Sequence, residues 1–279
     1  MNNSSKISPQ SFADFELASW QELSSSYARS WGHVTSAFVP AILNSLPNIE
    51  GSRLIDIATG PGYAAKLASR QGANVTGIDF SINMIEAARQ NVPGVAFKVA
   101  DVERLPFANC EFDYAISNFG FQHFANITCS LNEIARILKP RGTLSFAVWA
   151  ESKINTASLI LEQAVDQFAV EPCQIPAGPS YGFLWDQEQL SQILLKTGFD
   201  TTTLRSTLHV IPRRLKDTNE LFQAEFGGSV RSGACLRQQP LASREHIREA
   251  MARDIEDHYN ENGYLIIPTV AYVICVNKL

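Results

Sequence analysis

The feature that most constrains the fold is an alternation of short apolar runs with amphipathic stretches between Arg53 and Trp149. The apolar runs predict strands at Leu54–Ala58, Val75–Asp79, Val95–Ala100, Tyr114–Ser117 and Thr143–Trp149. The stretches with helical periodicity lie between them, at Tyr63–Arg70, Ile82–Gln90 and Ile127–Leu138. Continuously apolar strands joined by amphipathic helices predict an α/β fold, with a doubly wound parallel sheet covered on both faces.

The rest of the chain is expected to surround this unit. After a disordered tail at residues 1–11, we expect a single domain over residues 12–279. Its parts are an N-terminal helical cap at 12–50, a core at 51–150 and a C-terminal half at 151–279. Within the C-terminal half, a loop at 171–185 is rich in Pro and Gly, and a predicted helical insertion covers 212–266. Predicted strands at Thr202–Ile211 and Thr269–Val276 flank that insertion.

Charge and hydropathy exclude several classes of protein. The chain has 23 basic and 28 acidic residues, a formal net charge of -5, and no basic stripe of the kind that binds nucleic acid. No apolar run reaches the ~20 residues that span a bilayer, so we expect no membrane insertion. The polar N-terminus lacks the apolar segment of a signal peptide. These observations favour a cytoplasmic protein whose partner is a small molecule.

The five cysteines, Cys110, Cys129, Cys173, Cys235 and Cys275, are scattered and include no C-x-x-C pair. An odd number at such spacing predicts neither a disulfide framework nor a zinc site, and it is typical of a protein from a reducing compartment. We therefore expect the cysteines to serve as small apolar side chains. No cluster with the spacing of metal ligands occurs elsewhere, so no metal is expected.

The segment LIDIATGPGYAAKLA, from Leu54 to Ala68, predicts a strand, a tight turn and a helix. Gly60 and Gly62 permit a sharp turn and a close approach of a ligand to the backbone. The first turn of the following helix offers free N–H groups to that ligand. Residues 60–65 also read G-x-G-x-x-A, which a nicotinamide-binding site permits, so the glycine pattern alone leaves two cofactor classes open.

Three further features separate these classes. Asp56 lies inside the first strand, where a dinucleotide site normally carries an apolar residue. Met84 follows the second strand, where a flexible thioether can cover an adenine ring. Asp101 follows the third strand and can accept a hydrogen bond from an adenine amino group. The nicotinamide pattern does not require an acidic residue at this position. The acidic Asp79, at the end of the second strand, suits the ribose hydroxyls of either class.

Together with FDYAISNFGFQHF (112–124) and LNEIARILKPRGTLSFAVW (131–149), these features resemble the class I S-adenosylmethionine (SAM)-dependent methyltransferases. The chain is most similar to their small-molecule branch, which includes ubiquinone/menaquinone-type (methyltransferase type 11) enzymes. The resemblance covers Arg53–Trp149. It implies a Rossmann-like sheet of seven strands with the last antiparallel, SAM as cofactor, S-adenosylhomocysteine (SAH) as product, and no metal.

The resemblance also implies which residues hold SAM. Those at the methionine end are Asp56, Ala58, Gly60, Pro61 and Gly62, with Pro61 departing from the commonest filler of the glycine pair. Those at the nucleoside end are Asp79 for the ribose, Phe80 and Met84 for the faces of the adenine, and Asp101 and Val102 for its edge. Asn118 and Phe119 would line the reacting methyl group. Asp56 has a second interpretation, in which its carboxylate only holds the glycine loop.

A sulfonium methyl group is already activated, so the protein mainly aligns the nucleophile and, for some acceptors, removes a proton. His123 is the candidate for that base, because it follows the fourth strand by a few residues; a histidine bonded to backbone is the alternative. Tyr27 and Trp31 on the N-terminal helix, and Tyr181 and Phe183 beside the 171–185 loop, are candidates for substrate binding. Core packing is the alternative for each.

The sequence thus predicts an enzyme that transfers methyl from SAM to an O, N or C atom of a small organic molecule. Two alternatives remain for a SAM-binding fold: cyclisation or cyclopropane formation, and binding without catalysis. An NAD(P)-dependent oxidoreductase is a further alternative. The sequence indicates neither the acceptor nor the oligomeric state, nor whether the insertion is a lid or an interface.

Overall fold

The computed structural model describes residues 9–179 and 181–279, with side chains from Phe12 onward. The predicted disordered tail lies mostly outside the described residues. Its last three residues were predicted wrongly, because the first helix already begins at Pro9.

Eight strands form one sheet in the described part of the chain. They are β1 (Arg53–Ile57), β2 (Asn74–Asp79), β3 (Ala96–Val99), β4 (Phe112–Asn118), β5 (Leu138–Trp149), β6 (Phe199–Leu215), β7 (Asn260–Glu261) and β8 (Tyr264–Lys278). The strand order is β3-β2-β1-β4-β5-β8-β6, and the two-residue β7 pairs with β8 outside this path.

The helices of the described residues follow the predicted alternation. They are α1 (Pro9–Arg29), α2 (Gly32–Ser36), α3 (Val39–Asn44), α4 (Tyr63–Arg70), α5 (Ile82–Asn91), α6 (Ile127–Ile137), α7 (Thr156–Phe168), α8 (Gln187–Lys196), α9 (Glu220–Gly228), α10 (Arg231–Gln238) and α11 (Leu241–Tyr259). Short 3-10 turns cover Phe121–His123 and Gly182–Leu184.

The register of the sheet determines where a site can form. Strands β1 to β5 pair in parallel, and β8 pairs antiparallel with both β5 and β6. The predicted α/β fold, a mostly parallel sheet with its last strand antiparallel, is confirmed. Because β1 is flanked by β2 on one side and β4 on the other, the strand order reverses at this point. A crevice opens there at the carboxyl ends of the strands.

The structure corrects several predicted boundaries. The last two long strands extend to Leu215 and back to Tyr264, where Leu215 pairs with Leu265. The insertion between them is therefore shorter than 212–266 and is a mixture of three helices and β7. The prediction of a sheet covered on both faces is wrong for β3, an edge strand in which only Phe97 is buried.

The predicted N-terminal helical cap consists of three helices, α1 to α3. Gly32 begins α2, and a Cβ placed there would lie 2.9 Å from the Tyr63 ring, so this point of the cap packs closely on α4. Pro40 occupies the first turn of α3, where its missing N–H costs nothing. The buried face of α3, with Ile42 and Leu43, packs on α4 and on β4, β5 and β8.

The insertion has its own packed cluster, which includes part of the cap. The side chains of Ile247, Met251 and Ile255 form the buried stripe of α11, as their spacing predicted. They pack with Leu221 of α9 and with Trp31 at the start of α2. The insertion therefore folds against the cap.

One expectation about the cysteines was wrong. Cys173, in the 171–185 loop, forms a disulfide with Cys235 of α10, with a Cα–Cα distance of 4.9 Å. The two cysteines are 62 residues apart, so no local motif announced the pair. The disulfide connects this loop to the insertion. Among the described residues, no helix combines the length and apolarity needed to cross a membrane.

Candidate active site

A cavity of about 360 Å³ lies at the carboxyl ends of the central strands. Its floor is the segment between β1 and α4 together with the ends of β2 and β4, and its walls include α1, the start of α7 and the α9–α10 junction. The volume falls within the ~300–1,000 Å³ of small-molecule sites. Residues from three separate parts of the chain therefore enclose one site.

The glycine loop shapes the floor through its backbone. Ala58, Gly60 and Gly62 all have positive φ, of 54°, 52° and 84°. A Cβ at Gly60 would have no atom within 4 Å, so its backbone faces open space in the cavity. A Cβ at Gly62 would instead lie 3.1 Å from Val92 and 3.3 Å from Ala88 and Phe97. Gly60 and Pro61 thus line the cavity, while Gly62 permits close packing of α4 on α5.

Asp79 ends β2 and closes the loop from the other side. Its Oδ2 accepts a hydrogen bond from Gly60 N at 2.9 Å, and its Oδ1 accepts one from Ser81 N at 2.9 Å. Burial raises the pKa of this carboxyl to about 6, although both backbone bonds oppose the shift. Each carboxylate oxygen keeps a further lone pair for a ligand hydroxyl.

Asp56 and Asn118 line the cavity, and each has a buried side-chain oxygen without a partner among the described residues. Asp56 Oδ2 accepts from Thr59 Oγ1 at 2.6 Å and from Ala65 N at 3.0 Å, which anchors the loop and the start of α4. Its Oδ1 is buried and has no hydrogen-bond partner among the described residues, and neither has Asn118 Oδ1. Burial raises the pKa of Asp56 to about 7, and neighbouring Asp79 contributes in the same direction.

The predicted adenine contacts also reach the cavity. Phe80, Met84, Asp101 and Val102 all line it. The Met84 side chain is buried. The backbone N–H of Met84 donates a hydrogen bond to the Ser81 hydroxyl, which caps the start of α5. Asp101 is exposed at the mouth, where its Oδ1 accepts from Glu103 N at 2.9 Å.

Aromatic rings enclose the region beyond β4. Phe119 has a φ of 61° and stacks on Trp149 with ring centroids 3.9 Å apart. Trp149 also meets Trp31 edge to face at 5.7 Å. All three rings line the cavity. A flat apolar surface of this kind suits an aromatic or otherwise planar molecule.

His123 lies in a network of charges that the sequence did not reveal. Its Nδ1 is 2.8 Å from Glu16 Oε2, and Arg231 Nε donates to Glu16 Oε1 at 3.0 Å. Arg231 also donates to the Gln122 carbonyl oxygen and to the Tyr181 hydroxyl. The Glu16 side chain is fully buried. Burial alone would raise its pKa, but the contacts with His123 and Arg231 outweigh burial and lower it.

Glu16 therefore joins α1, the 3-10 turn after β4 and α10. A signal for it existed in the sequence: it lies four residues after Phe12 and seven before Leu23, on the buried face of α1. An acid on an apolar helix face needs a buried partner. Trp20, which meets His123 edge to face at 4.9 Å and lines the cavity, was also not predicted.

The four residues predicted to bind the acceptor separate into two pairs. Tyr27 and Trp31 line the cavity; Tyr27 Oη lies 2.9 Å from Thr35 Oγ1, and Trp31 Nε1 donates to Ala224 O at 3.1 Å. Burial raises the pKa of Tyr27 to about 12, so its hydroxyl stays protonated. Tyr181 and Phe183 lie outside the residues that line the cavity and pack against the core on one face of the sheet. Tyr181 is connected to the site by its hydrogen bond with Arg231.

The polar groups on the floor of the cavity fit SAM. Asp56 Oδ1 and Asn118 Oδ1 are unpaired acceptors suited to an ammonium group, and Asp79 has lone pairs for two hydroxyls. Gly60 leaves room for a ligand against its backbone. Within the described residues, no group of three His, Cys, Asp or Glu side chains is placed to hold a metal ion.

The fold and this site define a class I SAM-dependent methyltransferase, and comparison with known proteins agrees. Residues 55–146 match the methyltransferase domain family. The chain is 35% identical over 159 residues to the demethylmenaquinone methyltransferase of Corynebacterium kroppenstedtii, covering 53% of this chain and 68% of that protein. It is 30% identical over 114 residues to a malonyl-[acyl-carrier protein] O-methyltransferase of Enterobacter lignolyticus, covering 41% and 45%.

Among solved structures, a methyltransferase candidate from an antibiotic biosynthesis pathway of Anabaena variabilis shares the fold. The superposition has a TM-score of 0.57 at 20% identity and covers 87% of this chain and 97% of that one. The chain belongs to the methyltransferase domain family and to its ubiquinone/menaquinone-type branch. Its cofactor is SAM and its substrates are small molecules, which confirms the predicted cofactor and reaction type.

Proposed function

We propose that this chain transfers a methyl group from SAM to an O, N or C atom of a small organic acceptor bound beneath the cap. The observation that carries the proposal is the single cavity lined by the glycine loop, by Asp79 and by the aromatic wall of Phe119 and Trp149. Cofactor residues and a hydrophobic acceptor surface meet in one enclosed space. Transfer requires such a juxtaposition, because the nucleophile and the methyl carbon must be aligned.

The proposal assigns the cofactor roles to the residues that the sequence indicated. Asp79 accepts the ribose hydroxyls, and Asp56 and Asn118 accept from the ammonium group. Phe80 and Met84 flank the adenine, while Asp101 and the backbone of Val102 bind its edge. SAM supplies an electrophilic methyl group when bound. The chain itself orients both substrates and excludes water from between them.

We further propose His123 as the base for acceptors that must lose a proton. Its Nδ1 lies 2.8 Å from the buried Glu16 carboxylate, and in the proposed role the neutral ring donates its Nδ1–H to that carboxylate and keeps Nε2 as the proton acceptor. Glu16 fixes the tautomer and stabilises the imidazolium after proton uptake, as a carboxylate does in other His-based sites. His123 lines the cavity, as a base must. Glu16 acts as a positioning residue.

The acceptor is the part of the proposal that the relatives leave open. One relative carries the name of a quinone methyltransferase and another that of an O-methyltransferase of a malonyl-carrier conjugate. Moreover, the matched family segment ends at residue 146, before α7 and the insertion that form the acceptor side. A cytoplasmic location, predicted from the sequence, stays a prediction, and the Cys173–Cys235 disulfide removes the cysteine argument for it.

The test has two parts. Thermal unfolding with SAM, SAH or reduced nicotinamide cofactor should show stabilisation by the two adenosyl ligands alone. A ligand at ~100 times its Kd contributes ~2.7 kcal/mol, which raises the Tm of a chain of this size by roughly 5–11 °C. Incubation with SAM and candidate acceptors should then yield SAH in step with a product heavier by one methyl group. Stabilisation by the nicotinamide alone, or SAH without a methylated product, would contradict the proposal.

A further inference from the structure

A second set of polar residues, two of them buried and three half-buried, lines the cavity, and neither the cofactor roles nor the His123 network uses them. They come from the start of α7 and from the α9–α10 junction: Asn155, Ser158, Glu225, Ser229 and Ser232. Ala157 and Ala224, close in sequence to Asn155 and Glu225, belong to one packed cluster with Trp31. Residues of both elements therefore belong to the same packed cluster as Trp31 of the aromatic wall.

Asn155 is the first member of this set. Its residue is only 3% exposed, and its Oδ1 has no hydrogen-bond partner among the described residues. It stands at the N-cap of α7, where an Asn side chain normally accepts a helix N–H, yet it makes no such bond. A buried amide without a partner costs free energy unless a ligand supplies one. An amide can pair with a hydroxyl, a carbonyl or another amide.

Glu225 is the second member and is 6% exposed. Burial raises the pKa of its carboxyl, opposed by the hydroxyls of Ser229 and Ser232 and by the charge of Arg213. The shift favours the neutral acid, which both donates and accepts hydrogen bonds.

The described cation that lines the cavity is already paired, whereas Arg213, behind the lining, keeps Nε and Nη1 without a hydrogen-bond partner among the described residues. Of the described lining residues, Arg231 carries a positive charge, and it pairs with Glu16. Arg213 is outside the lining, where it pairs with Glu220 and lies over the Trp31 ring. A carboxylate entering this part of the cavity would lose its hydration without gaining a free cation, which is strongly unfavourable.

We propose that Asn155 and Glu225, with the Ser229 and Ser232 hydroxyls, form an acceptor subsite that binds an uncharged hydroxyl or carbonyl group and rejects a carboxylate. The inference rests on the proposed function, because it places the acceptor in the same cavity as SAM. It names a class of acceptor: a planar, uncharged molecule with a hydrogen-bonding group at the end that faces α7 and the insertion.

The test measures binding of three ligands of one shape to the SAH-saturated protein by calorimetry at pH 7.5: 1-naphthol, naphthalene and 1-naphthoate. We expect 1-naphthol to bind about tenfold more tightly than naphthalene and at least tenfold more tightly than 1-naphthoate. Asn155→Leu should bring 1-naphthol to the affinity of naphthalene. Glu225→Leu, which removes the second hydrogen-bonding side chain of the subsite, should also weaken the binding of 1-naphthol and leave that of naphthalene unchanged. Gln163→Leu, on the exposed face of α7, is the matched control and should change nothing.

The outcomes separate this inference from the proposed function. Failure of SAH to bind would overturn the proposed function. Three results obtained while SAH still binds would overturn the subsite alone. They are equal affinities for the three ligands, tighter binding of 1-naphthoate than of 1-naphthol, and no binding of any of the three. These three measurements on the unmodified protein decide the matter even if Asn155→Leu does not fold.

Discussion

The two halves of the cavity are built in different ways. The cofactor half is formed by backbone and side chains at the ends of adjacent parallel strands, within residues 56–119. The acceptor half is formed by α1, α7 and the α9–α10 junction, which are far apart in sequence and are held together by side-chain contacts such as Glu16 with His123 and Arg231. A local motif can thus specify the first half, whereas the second depends on the tertiary fold.

This difference implies that the two halves have separable functions. Loss of a cofactor contact should abolish ligand binding, while loss of a cap contact should reduce turnover and leave SAH affinity intact. The interaction of Asp79 with Gly60 is internal to the first half, and the interaction of Glu16 with Arg231 is internal to the second.

The largest effect is expected from Asp79→Ala. The substitution removes an acceptor for two ligand hydroxyls and the anchor of the Gly60 N–H, so SAH affinity should fall at least 100-fold, because hydrogen bonds to a charged group contribute about 1.5–3 kcal/mol each. Calorimetric titration with SAH measures the loss, and circular dichroism checks the fold. Asp166→Asn, on the exposed face of α7, serves as the control and should bind SAH normally. Unchanged affinity in Asp79→Ala would remove the assignment of the cofactor half.

The next largest effect is expected from His123→Ala, in the acceptor half of the cavity. With an acceptor that must lose a proton, kcat should fall about 100-fold, the scale of general-base catalysis, while the Kd of SAH stays within twofold. Glu16→Gln should reduce kcat by less, since it weakens the orientation of His123 and keeps the imidazole. The double variant should have a kcat only slightly lower than that of His123→Ala alone. Additive losses would show that Glu16 acts independently of His123.

A smaller effect is expected from pH. Burial raises the pKa of Asp56 to about 7 and that of Asp79 to about 6 in the ligand-free chain. The ammonium group of SAH favours the ionised carboxylates, so its affinity should rise about tenfold from pH 5.5 to pH 7.5, with release of protons on binding. Calorimetry in buffers of different ionisation enthalpy measures that release. Affinity that is constant or falls over this range would contradict the roles given to both acids.

The smallest effect concerns stability. The raised pKa of Asp56 means that the folded chain binds more protons than the unfolded chain between about pH 4 and pH 7, so stability is lost as pH rises through this window. Asp56→Asn removes the ionisable group and should raise the Tm of the ligand-free protein at pH 8 by a few degrees while weakening SAH binding. Calorimetric scans at pH 5 and pH 8 test this, with Asp166→Asn as the control. A lower Tm at pH 8 would show that Asp56 mainly anchors the loop.

The same contrast explains what the sequence could predict. The strands, the glycine loop and Asp79 lie within one continuous pattern, because parallel strands place their carboxyl ends together whatever the rest of the chain does. Glu16 and Arg231 are 215 residues apart, so their pairing depends on how the insertion folds on the cap. The Cys173–Cys235 disulfide, which the sequence argument excluded, depends on the same packing.

Gly62 illustrates a finer limit. The sequence resemblance predicts that both Gly60 and Gly62 contact the cofactor. Of the two, only Gly60 has open space where a Cβ would stand. Gly62 lies against Val92, Ala88 and Phe97 instead. The G-x-G spacing predicts two positions free of side chains but does not indicate which one faces the ligand and which one faces a neighbouring helix.

The most direct test of the division into two halves is a crystal structure of the SAH complex. We predict that both ribose hydroxyls donate to the Asp79 carboxylate, that the amino group lies at Asp56 and Asn118, and that residues 228–232 make no contact with the nucleoside. A nucleoside bound against the α9–α10 junction, with Asp79 left facing water, would contradict the account.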